Sequence, residues 1–244
     1  MASFKDFLME SRYSFVYHDN LNRKIWNSNG TLRTRVRKQL LKIADKYFDF
    51  LNVSPDYNIV DIIFTGSLAN FNYTKYSDID LHIVIDKSAD YCETCGLELE
   101  DIFKTKKDLW GSRHDIRIFG YPVELYAQLE AEHLEALGVY SVKHDKWVKQ
   151  PRHVDDLVDK VNNYAVNTKA NSIIRLINSL DKNTDIDKIK QVKTKIKDMR
   201  KSGLQKAGEY SIENLAFKHL RNEGYLDKLG QLDIEAFDKS LSID

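Results

Sequence analysis

Apolar residues crowd the run IVDIIF over 59–64 and alternate with polar ones from Ile79 to Asp86. The first pattern predicts a short buried strand. The second predicts a strand with one apolar face, because successive side chains of an extended chain point to opposite sides. Ile79, Leu81, Ile83 and Ile85 then share the buried face, while Asp78, Asp80 and His82 share the other. His82 on that face is expected to pack or meet solvent rather than orient a carboxylate. Two hairpins follow in the pattern. DIRIF (115–119), a turn at Gly120-Tyr121-Pro122 and VELYAQ (123–128) form the first; VYSV (139–142), a His144-Asp145 turn and KWVKQ (146–150) form the second. VELYAQ sets Val123 and Leu125 on one face and Glu124, Tyr126 and Gln128 on the other, on a strand that can lie beside the one carrying Asp78. Trp147 is expected in the core.

Elsewhere the spacing is helical. Leu32, Val36, Leu40, Ile43, Ala44 and Phe48 predict a helix from Thr31 to about Leu51, with Thr31 as its cap and Arg33, Arg35, Arg37, Lys38 and Lys42 on a solvated face. Phe4, Phe7 and Leu8 predict a short docked helix over 3–9, and 20–30 is polar and loop-like. A helix is expected from Ala89 to Trp110, stopping near Gly111. After Pro151 the strand signal ends. Helices are predicted over 153–180, over 186–202 up to Gly203, with a break around Gly208, and from a Ser211 cap to Arg221, with Asn214 in a position like that of a capping box. The chain therefore divides into a mixed α+β part, 1–150, and a helical C-terminal part, 151–244.

Composition supports a substantial core: 42% of the 244 residues are hydrophobic and 11% aromatic. No stretch approaches the length of a membrane span, and the charged N-terminus is unlike a signal peptide, so a cytoplasmic location is expected. The only cysteines, Cys92 and Cys95, lack the further ligands of a zinc set and are expected as reduced thiols on one helix face, a redox or disulfide role being the alternative. With 37 basic and 37 acidic residues the net charge is zero, so global charge does not announce a nucleic-acid binder. Local charge changes that picture. From Lys188 to Lys206, eight basic residues, Lys188, Lys190, Lys193, Lys195, Lys197, Arg200, Lys201 and Lys206, face a single acid, Asp198. Such a helix is either a solvated face or a source of attraction that steers a nucleoside triphosphate or grips a polyanionic acceptor.

Chemistry concentrates between Phe64 and Asp86. Asp78 and Asp80 on one face of a rigid strand suit a hard divalent cation shared with a phosphate, and Gly66-Ser67 upstream forms a turn whose amides and hydroxyl can approach phosphate oxygens. Glu124 on the later strand completes a set of three carboxylates. In these residues the chain resembles the polymerase-beta-like nucleotidyltransferase superfamily, whose signature is a Gly-Ser turn, an Asp-x-Asp strand and a later single carboxylate. GSLANFNYTKYSDIDL and VELYAQ are also similar to predicted nucleotidyltransferases of large tailed bacteriophages.

The resemblance spans about 58–128. It implies a nucleotidyltransferase-like mixed sheet flanked by helices, with Gly66 and Ser67 binding nucleotide and Asp78, Asp80 and Glu124 as catalytic metal ligands for Mg²⁺ or Mn²⁺. It further implies a nucleoside triphosphate as donor, ATP being expected, and an acceptor hydroxyl. The basic helix tilts the acceptor toward RNA or another polyanion. A protein- or small-molecule-modifying transferase is the enzyme alternative, and an idle nucleotide-binding module is the alternative of another class.

Overall fold

The computed structural model describes residues 17–53, 57–86, 93–129, 136–152 and 163–242. The expected helix over 3–9, the expected helix starts at Ala89 and at 153, and the side chains of Cys92 and Cys95 lie outside the described residues. The chain divides into two compact units, one of Val16–His153 and one that includes Val154–Asp244.

The first unit is built on helix α1 (Thr34–Leu51) and strands β1 (Ile59–Thr65), β2 (Ile79–Ile85), β3 (Arg117–Ile118), β4 (Tyr121–Leu129), β5 (Val139–Ser141) and β6 (Lys146–Lys149), with helix α2 (Glu93–Arg113) between β2 and β3. The sheet order is β3-β4-β2-β1-β5-β6. Among the described strands all pairings are antiparallel except β2 with β4, which run parallel, α2 lying in the crossover between them. Ile79, Leu81, Ile83 and Ile85 are fully buried, as their alternation requires. On α1, Val36, Leu40, Ile43, Ala44, Tyr47 and Leu51 recur at helical spacing and bury the face turned to the core.

Four local expectations are corrected. Thr31 does not cap α1, which begins after Arg33 and has no side-chain cap. Its hydroxyl donates to Asn29 Oδ1 at 2.7 Å and accepts from Asn27 Nδ2 at 3.1 Å, so the preceding turn has captured it. Helix α2 runs through Gly111 to Arg113. The turn of the first hairpin is Phe119-Gly120, both at positive φ (52° and 91°), and Tyr121 and Pro122 already belong to β4. The loop-like segment 20–30 contains core: Ile25 and Trp26 are buried, and Trp26 bridges to Leu32.

Trp26 is the hub of an aromatic cluster. Its ring stacks on Phe64 at 5.4 Å and on Trp147 at 4.7 Å and meets Tyr140 edge-on at 5.0 Å. Trp147 thus packs on the core, as expected. The Trp26 indole N–H donates to the Leu68 carbonyl at 2.7 Å, which ties the Gly-Ser turn to this core. Trp26→Ala should therefore cost about 3–5 kcal/mol in urea denaturation, through lost burial and a cavity. A cost under about 1 kcal/mol would show that the cluster closes over the gap.

The second unit contains α3 (Asn163–Asn178), α4 (Ile186–Ala207), α5 (Ile212–Asn222) and α6 (Tyr225–Leu241). Ile173, Ile177, Ile189, Val192, Ile196, Leu220 and Leu229 form its main core. Ser211 caps α5 and accepts from the Asn214 N–H, as its sequence position suggests. Two features depart from expectation. Helix α4 passes through Gly203 to Ala207; the glycine serves a close approach to α5 and not a helix stop, since an added Cβ would stand 2.5 Å from Glu213 Cβ. Helix α6 was not singled out by the pattern, although Leu229 and Ala236 give it a buried face. No helix among the described residues is long and apolar enough to cross a membrane.

Candidate nucleotidyl-transfer site

Register brings the carboxylates together. Asp80 lies opposite Thr65 across the antiparallel pair β1·β2 and opposite Glu124 across the parallel pair β2·β4. Asp78 is two residues earlier, just ahead of β2, so its side chain leaves on the same side. One carboxylate oxygen from each of Asp78, Asp80 and Glu124 lies within 4.8 Å of the other two. Asp78 and Asp80 are half-buried and the Glu124 side chain is 44% exposed. Three like charges this close repel one another unless a cation sits among them. A set of hard oxygen donors on two rigid strands is chemically suited to a divalent ion such as Mg²⁺ or Mn²⁺.

Gly66 belongs to the same site. It closes β1 with φ 81° and ψ −167°, a conformation that L side chains rarely adopt, and opens a short 3-10 turn, Ser67–Ala69. A Cβ on Gly66 would stand 1.8 Å from Asp80 Oδ2, so the missing side chain makes room for the carboxylate. The Ser67 hydroxyl is hydrogen-bonded to the Ser77 hydroxyl at 2.7 Å, and Ser77 Oγ also accepts from the Thr74 N–H at 2.9 Å. Ser77 is buried and immediately precedes Asp78, so this bond ties the turn to the root of the acidic strand. Sequence reasoning missed it; its position one residue before the Asp-x-Asp was the available signal.

The far side of the site is equally organised. The Tyr126 hydroxyl, two residues along β4 on the same face, donates to Glu124 Oε2 at 2.6 Å. From α2, Lys107 Nζ lies 3.8 Å from that oxygen and 3.7 Å from the centre of the Tyr126 ring. Burial first, then the charge of Asp80, pushes the Tyr126 hydroxyl well above the usual tyrosine range, so it remains a donor. His82 does not reach a carboxylate. Its ring stacks on Tyr126 at 4.6 Å and its Nδ1 pairs with Gln128 Oε1 at 2.6 Å; because an amide oxygen only accepts, Nδ1 carries the proton. Burial lowers the His82 pKa and keeps the ring neutral near pH 7.

A family model described as nucleotidyltransferase domain matches residues 41–178, more than half of the 244-residue chain. The chain belongs to the nucleotidyltransferase domain family. The matched span contains the Gly-Ser turn, both aspartates and Glu124, in line with the polymerase-beta-like resemblance of those residues. No curated protein and no solved structure matches the chain. Membership in the nucleotidyltransferase family makes the protein a transferase whose donor is a nucleoside triphosphate, on a mixed six-stranded sheet flanked by helices.

Proposed function

We propose that this nucleotidyltransferase moves a nucleoside monophosphate from ATP to a hydroxyl of an RNA or similar polyanionic acceptor. The observation that carries the transfer is the convergence of Asp78, Asp80 and Glu124 within 4.8 Å beside a glycine turn. Asp78, Asp80 and Glu124 would hold one or two divalent ions, Mg²⁺ or Mn²⁺. Such ions supply positive charge to the triphosphate and make an acceptor hydroxyl more acidic.

The chain's own part is to bind, orient and accept a proton. Ser67, braced by Ser77, and the backbone amides that follow Gly66 are the candidate holders of the β- and γ-phosphates. The acceptor oxygen bonds to the α-phosphorus, the bond to the β-phosphate oxygen breaks, and pyrophosphate leaves with the electron pair. The acceptor proton passes to a carboxylate oxygen of Glu124.

The acceptor reading rests on α4. Lys190, Lys195, Lys197 and Lys201 are all exposed on it, and phosphate is their natural counterion. Changing all four to Gln should weaken RNA binding and flatten the slope of log affinity against log salt by about three. An unchanged slope in fluorescence-anisotropy titrations would remove RNA from the proposal.

The activity itself is tested by supplying each α-labelled nucleoside triphosphate with Mg²⁺ or Mn²⁺ and pools of RNA, protein and small hydroxyl compounds. Label on RNA with release of pyrophosphate is the expected result. Label on protein or on a small compound would replace the acceptor. Metal-dependent nucleotide binding without transfer to any pool would make the protein an idle module.

A further inference from the structure

Two ends of the acidic cluster are shaped by close neighbours. Gly66 lies directly against Asp80. On the Glu124 side two polar side chains from different elements converge on one atom, Oε2: the Tyr126 hydroxyl at 2.6 Å and the Lys107 ammonium at 3.8 Å. The two also touch each other, the ammonium lying 3.7 Å over the Tyr126 ring. Tyr126 in turn is held flat by the stacked ring of His82, at 4.6 Å and an interplanar angle of 11°, and His82 by Gln128. Glu124 is thus the end of a braced chain that runs from Gln128 through His82 and Tyr126 on the paired strands β2 and β4, with Lys107 leaning in from α2.

We infer that Tyr126 and Lys107 are positioning residues that act on Glu124 with opposite consequences for cation binding. Tyr126 is a neutral donor. It fixes the rotamer of a long, half-exposed side chain within reach of the aspartates, so it lowers the ordering cost of binding a metal ion. Lys107 is a charge. It offsets the repulsion among three carboxylates when no ion is bound, and an entering dication must outcompete it for Glu124. Exposure of 34% for the Lys107 side chain and 44% for Glu124 keeps the effect moderate, because solvent screens both. A role confined to packing would give a different signature, since loss of either side chain would then loosen the site in the same direction.

This inference rests on the reading of the triad as a metal site, and one set of measurements separates the two. Mn²⁺ binding to the full-length protein without nucleotide is followed by electron paramagnetic resonance of the free ion and by calorimetry, with circular dichroism to confirm folding. Tyr126→Phe keeps the stacked ring and removes only the hydroxyl; it should weaken Mn²⁺ binding by about fivefold. Lys107→Met keeps the aliphatic reach over Tyr126 and removes only the charge; it should tighten binding by about threefold. Lys107→Arg restores a cation and should return the affinity toward that of the unsubstituted protein. Shifts of the two affinities in the same direction, or no shift in either, would overturn the positioning roles while leaving the metal site standing. Absence of Mn²⁺ binding by the unsubstituted protein, or binding unchanged by Asp80→Asn, would overturn the metal site and these roles with it.

Discussion

Asp80→Asn lowers nucleotidyl transfer by about a thousandfold or more and leaves the thermal midpoint unchanged or slightly raised. The two halves of that expectation have one cause. Asp80 sits between both strand pairings, opposite Thr65 on one side and Glu124 on the other, so its carboxylate is the one flanked by the glycine turn's strand and by Glu124. Replacing it with an isosteric amide removes a negative charge from a cluster of three that lie within 4.8 Å, which relieves repulsion in the empty protein while withdrawing a hard anionic ligand. The expected loss is of function and not of stability. Rates from the labelled-nucleotide assay and a thermal melt on the same preparation check both halves. Retained transfer would mean that other residues carry the chemistry, and a collapsed melt would make Asp80 structural.

Gly66→Ala carries the second large effect. The residue adopts φ 81°, where a Cβ costs strain, and that Cβ would fall 1.8 Å from Asp80 Oδ2 and 2.9 Å from Asp80 Cγ. Either the turn opens or the carboxylate rotates away from its partners. We expect a stability loss of about 1–3 kcal/mol in urea denaturation and a fall in transfer of at least about a hundredfold. A double-mutant cycle isolates the cause, because in an Asp80→Ala background the clash partner is gone and only the backbone strain remains. If Gly66→Ala costs the same stability in both backgrounds, the glycine serves the turn and not the carboxylate.

How much of this was legible in the sequence depended on whether the signal was local. The period of two from Ile79 to Ile85 placed Asp80 and His82 on one face, and the same period in VELYAQ placed Glu124 with Tyr126 and Gln128. The parallel register that sets Asp80 against Glu124 satisfies what those two patterns separately allowed. Contacts between elements distant in sequence were not legible. Nothing in the spacing of α2 marks Lys107 among its neighbours Lys104 and Lys106 as the one that reaches Glu124, since that follows from how the helix lies on β4. Trp26 was hidden for a related reason: a polar surrounding sequence reads as loop, yet one large ring there is enough to anchor the segment on Phe64 and Trp147. Thr31 shows a competition that spacing cannot resolve, because a threonine hydroxyl serves a preceding asparagine turn as readily as a helix end.

The single parallel pairing in an otherwise antiparallel sheet decides where this protein can change length. Because β2 and β4 are joined by a helical crossover and not by a tight turn, residues gained or lost in that excursion leave the row Asp80–Glu124 where it is. The loss of one residue from β4 ahead of Glu124 would bring Leu125 opposite Asp80 and turn an acidic neighbour into an aliphatic one. Length is thus tolerated in the connection and constrained, residue for residue, in the strand.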